Sequence, residues 1–281
     1  MSEDKTSLSD ETENQPPSGT EFMATSVLTF GDGTLKKIER CVPVECPIAL
    51  EYNGIGYAVM MGTPTDLQDF VIGFTVSEGL APAHDISDPV IFETDGGYVV
   101  RCNLPSESLP KILARARTRV SESGCGICGI DSIAAALAPL PNVSNPPQVT
   151  PNSVHQALEA LYDHQHMARA TGASHAAAWC SAHGAILCVR EDVGRHNAFD
   201  KLIGSVSQSS LNLREGFALL SARCSQELVE KAIRAGITIL VTISAPSSLA
   251  ITRAQEAGLT LIALARSDTA LILNDPHSLF T

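Results

Sequence analysis

Two cysteines three positions apart stand in Ser123-Gly124-Cys125-Gly126-Ile127-Cys128-Gly129, directly ahead of an apolar run that reads as a helix. The glycines leave the backbone free to take positive φ and leave the sulfurs uncovered for a large partner. The unpaired amides of a following helix favour thiolate over thiol. A structural knuckle or half of a zinc site has the same spacing, so the choice between structure and chemistry rests on the remaining sequence.

Polar residues gather where strands give way to helices. Thr171-Gly172-Ala173-Ser174-His175 leads into one strand. Arg190-Glu191-Asp192-Val193-Gly194-Arg195-His196, together with Asp200, crowds six ionisable groups into one strand-to-helix passage, more than a solvated turn requires. Ser221-Ala222-Arg223-Cys224-Ser225 and Ser244-Ala245-Pro246-Ser247-Ser248 place small hydroxyl residues before helices, as N-caps or as the rim of an anion site. His175, Asp192, Arg195, His196, Arg223, Ser244 and Ser247 are therefore the side chains expected to meet a phosphate-bearing ligand. No P-loop and no GxGxxG occurs, which excludes the usual nucleotide-hydrolysing and dinucleotide-redox sites.

Zinc chemistry fits poorly. A zinc deaminase needs H-x-E together with P-C-x-x-C, whereas glycine precedes Cys125 and no histidine has glutamate two positions on. A closed zinc knuckle needs two further ligands, and no second CxxC is present. No metal is expected. A thioredoxin-like dithiol would follow the first strand of a compact βαβ unit rather than stand between two helices.

The elements that would position these groups fall into four stretches. Residues 1–23, rich in acidic and small polar residues with Pro16-Pro17, read as a disordered tail. Residues 24–138 read as an N-terminal domain. It holds β-rich segments with an Asn53-Gly54 hairpin turn, a helix capped by Thr63 with Pro64 at its first position, and a helix over Leu109–Val120 carrying Lys111, Arg115, Arg117 and Arg119. Residues 139–151 form a proline-rich linker. From 152 to 281 a long helix through Ala170 is followed by alternating strands and helices, the pattern of a layered α/β domain whose ligands collect at strand ends.

The chain has 281 residues, 44% hydrophobic and 18% charged, with net charge −12. That charge argues against nucleic acid and against an anionic membrane surface as partners. Eight cysteines without a secretion signal are expected to be reduced thiols in a cytoplasm.

The segments Pro43–Gly54, Met60–Gly79, Ser123–Gly129, Arg190–Gly204 and Ser244–Ile251 resemble the FdhD family of formate dehydrogenase accessory sulfurtransferases. The resemblance implies a cytoplasmic homodimer whose second, three-layer α/β domain is similar to the cytidine deaminase fold without its zinc, beside a smaller mixed α+β N-terminal domain. It implies that Cys125, assisted by Cys128, accepts a persulfide from a cysteine desulfurase. The sulfur then passes to the bis-molybdopterin guanine dinucleotide form of the molybdenum cofactor, bound for the formate dehydrogenase apoprotein. By the same resemblance Leu264, Ala265, Arg266, Ser267, Asp268 and Thr269 contact that cofactor. Arg195, Arg223 and Arg266 are the candidate positive groups, whereas Asp268 beside a phosphate departs from what such a ligand favours. A cofactor-binding chaperone that carries no sulfur, and a dithiol oxidoreductase, are the alternatives.

Overall fold

The computed structural model describes residues 15–114 and 137–280. The paired thiols Cys125 and Cys128, and Arg115, Arg117 and Arg119, lie outside the described residues.

A β-ribbon opens the described chain: β1 (Thr20–Leu28) pairs antiparallel with β2 (Leu35–Pro43). Thr20, Glu21, Phe22 and Met23, expected in the tail, belong to β1. Four strands then form a mixed sheet of order β4-β3-β6-β5, from β3 (Cys46–Tyr52), β4 (Ile55–Gly62), β5 (Val90–Thr94) and β6 (Gly97–Cys102). Asn53 and Gly54 both take positive φ, as a tight two-residue hairpin turn requires. One face of this sheet buries Ile48, Leu50, Tyr52 and Val100 against Phe70, Val71 and Phe74 of α1 (Leu67–Ser77).

The start of α1 corrects the reading at Thr63. The helix begins at Leu67, and its N-cap is Asp66 in the left-handed region with no side-chain cap. Thr63 bonds to the other half of the molecule instead: its N–H donates to Asp192 Oδ2 and its hydroxyl accepts from the Val193 N–H. Gly79, at φ +66, follows the helix end as its position predicts.

The second half is a six-stranded sheet of order β12-β11-β10-β9-β7-β8. Its strands are β7 (His175–Ser181), β8 (Ile186–Asp192), β9 (Gly216–Leu220), β10 (Ile239–Thr242), β11 (Thr260–Ala263) and β12 (Leu271–Asn274). β9, β10 and β11 run parallel, and β7 and β12 run against them. One face packs on α2 (Pro151–Leu161) through Val154, Ala157 and Leu161. The other packs on α4 (Arg195–Gln208), α5 (Gln226–Arg234) and α6 (Ser248–Ala257) through Phe199, Leu202, Leu228 and Ala254. Three layers result.

Two more expectations change. The single helix through Ala170 is broken: Thr150 caps α2 in a capping box with Ser153, a 3₁₀ turn follows at Tyr162–His164, and α3 spans His166–Thr171. Residues 139–151 do not hang free. Val143 and Val149 are buried, and the Val143 N–H donates to the Ala257 carbonyl, so this stretch is a packed strap.

The two halves lock together where α1 crosses α4. A Cβ on Gly73 would lie 1.7 Å from the Asp200 carbonyl oxygen, and one on Gly204 would lie 1.9 Å from that of Asp69. Buried charge flanks the crossing. Lys231 Nζ donates to both Asp200 carboxylate oxygens at 2.8 Å and to Ser77 Oγ at 2.9 Å, and Arg190 pairs with Asp69 at 2.8 Å.

Candidate ligand site at the carboxyl edge of the central sheet

Because β8 is antiparallel to β7, and β7 to β9, the strands β8 to β11 all end on one edge. β7 begins there. That edge therefore receives Asp192 from β8, Ser221–Ser225 after β9, Ser244–Ser247 after β10, Leu264–Thr269 after β11, and His175 at the start of β7. Three of these loops lead straight into the N-termini of α4, α5 and α6. Such termini present unpaired amides and positive dipole ends, which is an arrangement suited to anions.

The loops are fixed by bonds among themselves. The Ala176 N–H donates to Ser221 Oγ at 2.8 Å, and the Ser221 N–H donates back to the Ala176 carbonyl. The Cys224 N–H donates to the Ala245 carbonyl, and the Ser247 N–H to the Cys224 carbonyl. The Ser244 carbonyl accepts from the Leu264 N–H, which joins the loops after β10 and β11. Ser247 acts as an N-cap, accepting from the Ala250 N–H at 3.2 Å. Gly194 and Ser225, the N-caps of α4 and α5, give no side-chain cap bond. The Ser225 hydroxyl lies instead 3.4 Å from His196 Nε2.

Positive charge and neutral histidine meet here. Burial, then the Arg195, Lys231 and His175 charges, outweigh Glu227 and push the His196 pKa down to about 4. Burial, Arg195 and Arg223 also lower that of His175, against Asp192. At neutral pH both imidazoles are thus uncharged, and the attraction for an anion comes from Arg195, Arg223 and the helix ends. Arg223 is exposed, and Arg195 Nε is a buried donor without a hydrogen-bond partner.

Asp192 does not face a ligand. It is 0% exposed, and its Oδ1 accepts from the Gly194 N–H and Asn197 Nδ2 while Oδ2 accepts from the Thr63 N–H and pairs with Lys201 Nζ at 2.7 Å. With both oxygens engaged, it shapes the turn that presents Arg195 and His196. The Leu264–Thr269 stretch divides in two. Leu264 has φ +48 and Ala265 is buried, its N–H on the Thr242 carbonyl. Arg266–Thr269 is an exposed turn closed by the Arg266 N–H on the Thr269 carbonyl. With Asn152, His155 and Phe280 it walls a cleft of about 510 Å³.

Cys224 is a packed thiol. It is 1% exposed, and burial pushes its pKa up to about 12, so it stays protonated. Sequence reading placed Lys201 in the strand-to-helix passage but did not single out Lys231 and Glu227, whose charges act on His196 from α5.

The fold and site define an α/β protein with an anion-directed sheet edge and no P-loop. Residues 43–280 match the model of the FdhD/NarQ family, and the chain belongs to that family. It is 41% identical over 248 residues to a sulfur carrier protein FdhD of Xanthomonas oryzae pv. oryzae, covering 88% of each chain. To the sulfur carrier protein FdhD of Variovorax paradoxus it is 41% identical over 239 residues, covering 85% of this chain and 86% of that one. The fold is similar, with TM-score 0.71 at 22% identity, to the crystal structure of a candidate formate dehydrogenase accessory protein from Desulfotalea psychrophila, covering 92% of this chain and 97% of that one. No described helix is long and apolar enough to cross a membrane.

Proposed function

We propose that this chain is a sulfur carrier in formate dehydrogenase maturation, acting as a cytoplasmic, homodimeric sulfurtransferase. The outer sulfur of a cysteine desulfurase persulfide is taken up by the Cys125 thiolate, forming a new S–S bond and releasing the desulfurase thiolate, with Cys128 assisting. The S–S bond of the Cys125 persulfide then breaks, with the Cys125 thiolate as leaving group and the outer sulfur passing to the substrate. That substrate is a reduced bis-molybdopterin guanine dinucleotide cofactor, which supplies the two electrons before it enters the dehydrogenase apoprotein. In this reading the six-stranded layer is a zinc-free counterpart of the cytidine deaminase fold.

The observation that carries the reading is the convergence of three helix N-termini with Arg195 and Arg223 on one edge of a chain of net charge −12. An acidic protein that binds a diphosphate needs such a local positive site. Family membership and relatives named as sulfur carriers support the cargo.

The test is mass spectrometry after incubation with a cysteine desulfurase and cysteine. A thiol-reducible extra sulfur is expected on Cys125, and equal loading of Cys125→Ala would overturn the assignment. Guanosine diphosphate serves as the probe of the edge, with weaker binding expected for Arg223→Ala. A sulfur-free chaperone would instead support active dehydrogenase with both Cys125 and Cys128 replaced.

A further inference from the structure

The ribbon of β1 and β2 bears more apolar surface than a free-standing hairpin tolerates. Phe22, Met23, Val27, Leu28, Phe30 and Leu35 are each 47–95% exposed. Two strands alone are marginal in water, so this ribbon calls for a partner.

Its two edges are unequally protected. β2 carries Lys36, Lys37, Glu39, Arg40 and Pro43, the residue types by which natural edge strands resist further pairing. β1 carries Glu21 alone, and Phe22–Leu28 is uncharged. Among the described residues, the main chain of Phe22–Leu28 bonds only within the ladder to β2. The open, unguarded edge is that of β1.

The sequence of that strand is also symmetrical. Phe22-Met23 and Val27-Leu28 are large and apolar, and Ala24, Thr25 and Ser26 between them are small. We propose that β1 pairs antiparallel with β1 of a second copy of this chain, with Thr25 on the two-fold axis. A four-stranded sheet results, with the charged β2 strands outermost. In this register Phe22 faces Leu28 of the partner subunit on one face, and Met23 faces Val27 of the partner subunit on the other. Centring on Ala24 instead would set Phe22 against a serine and Glu21 against a valine. Hydropathy therefore selects the register.

The pairing draws on Phe22, Met23, Val27 and Leu28, each 47–50% exposed, and on the open strand edge between them. A second copy is also the occupant that is always present, whereas sulfur donor and acceptor come and go. The inference rests on the homodimeric part of the reading above, not on its sulfur chemistry.

Sedimentation velocity of the full chain tests it. The wild type sediments as a dimer at micromolar concentration. Thr25→Lys and Thr25→Glu each place like charges opposite one another and raise the dissociation constant about tenfold or more, while their equimolar mixture recovers the dimer. Thr25→Cys cross-links across the axis under mild oxidation, and Lys37→Cys on the outer strand does not. A monomeric wild type overturns the homodimer reading and this surface together. A dimer unchanged by Thr25→Lys and not cross-linked through Thr25→Cys overturns this surface alone, and the sulfur-carrier reading stands.

Discussion

Gly73 and Gly204 bring the backbones of α1 and α4 into direct contact. A methyl group at either position would sit within 2 Å of a main-chain oxygen of the opposite helix (1.7 Å and 1.9 Å). On an exposed helix face, glycine to alanine stabilises by about 1 kcal/mol through helix propensity. Here the sign reverses, because backbone cannot give way as the end of a side chain can. Gly204→Ala is expected to lose about 3 kcal/mol of stability, read from the denaturant midpoint. An unchanged midpoint would mean the helices are not in contact at this crossing.

Lys201 and Asp192 are both fully buried, and they tie α4 to the loop ahead of α1. Lys201 Nζ also donates to the Thr63 carbonyl at 2.9 Å and to Thr65 Oγ1 at 3.2 Å. Lys201→Met leaves the Asp192 carboxylate without its counter-charge, at a cost of about 3–5 kcal/mol. Adding Asp192→Asn removes the stranded charge and keeps one oxygen, for the Gly194 amide and Asn197, while the Thr63 amide loses its acceptor. Because the buried charge is the larger cost, the double variant is expected to be more stable than Lys201→Met alone. Additive losses in this cycle would show that the pair is not coupled.

Local chemistry made part of this architecture legible. Asn53-Gly54 announced its hairpin, Gly79 its helix end, and the alternation after residue 175 its layered sheet. The misread positions depend on residues far away in sequence. Thr63 and Pro64 make a good helix start, but Thr63 bonds to Asp192 and Val193 instead. The break after α2 is held by Glu191, whose carboxylate accepts from the Met167 and Ala168 amides at the start of α3. Asp192 looked like a ligand group because its partners Thr63 and Lys201 come from different elements. The segment ahead of β7 and the loops after β8, β9 and β10 were each visible in the residues, Leu264–Thr269 came from the resemblance alone, and their convergence followed from strand order.

The thiols of the described residues differ in reactivity. Burial pushes the pKa of Cys102, Cys180 and Cys224 up to about 12 in each case. Cys41, Cys46 and Cys188 are partly exposed. Iodoacetamide at pH 8 on the native protein, followed by peptide mapping, is expected to spare the first three and label the second three. Cys224→Ser should leave persulfide loading by a desulfurase unchanged. A Cys224 labelled as fast as Cys41 would restore it as a second sulfur stop.

His196 gives the carboxyl edge a pH signature with a definite sign. In the unfolded chain its pKa is the ordinary 6.5, and in the folded protein it is pushed down to about 4 by burial and by the Arg195 and Lys231 charges. Well above pH 6.5 both states are neutral there, and the group contributes no pH dependence. As pH falls from 6.5 towards 4 the unfolded chain takes up a proton that the folded protein refuses, so stability declines through that window. His175, also lowered, adds to the same decline. His196→Gln keeps a polar side chain beside Ser225 and cannot protonate. Its denaturant midpoint is therefore expected to fall less steeply than that of the wild type between pH 6.5 and 4, with the two curves parallel above pH 7. Parallel curves across the acidic window as well would show that His196 is not held neutral by its surroundings.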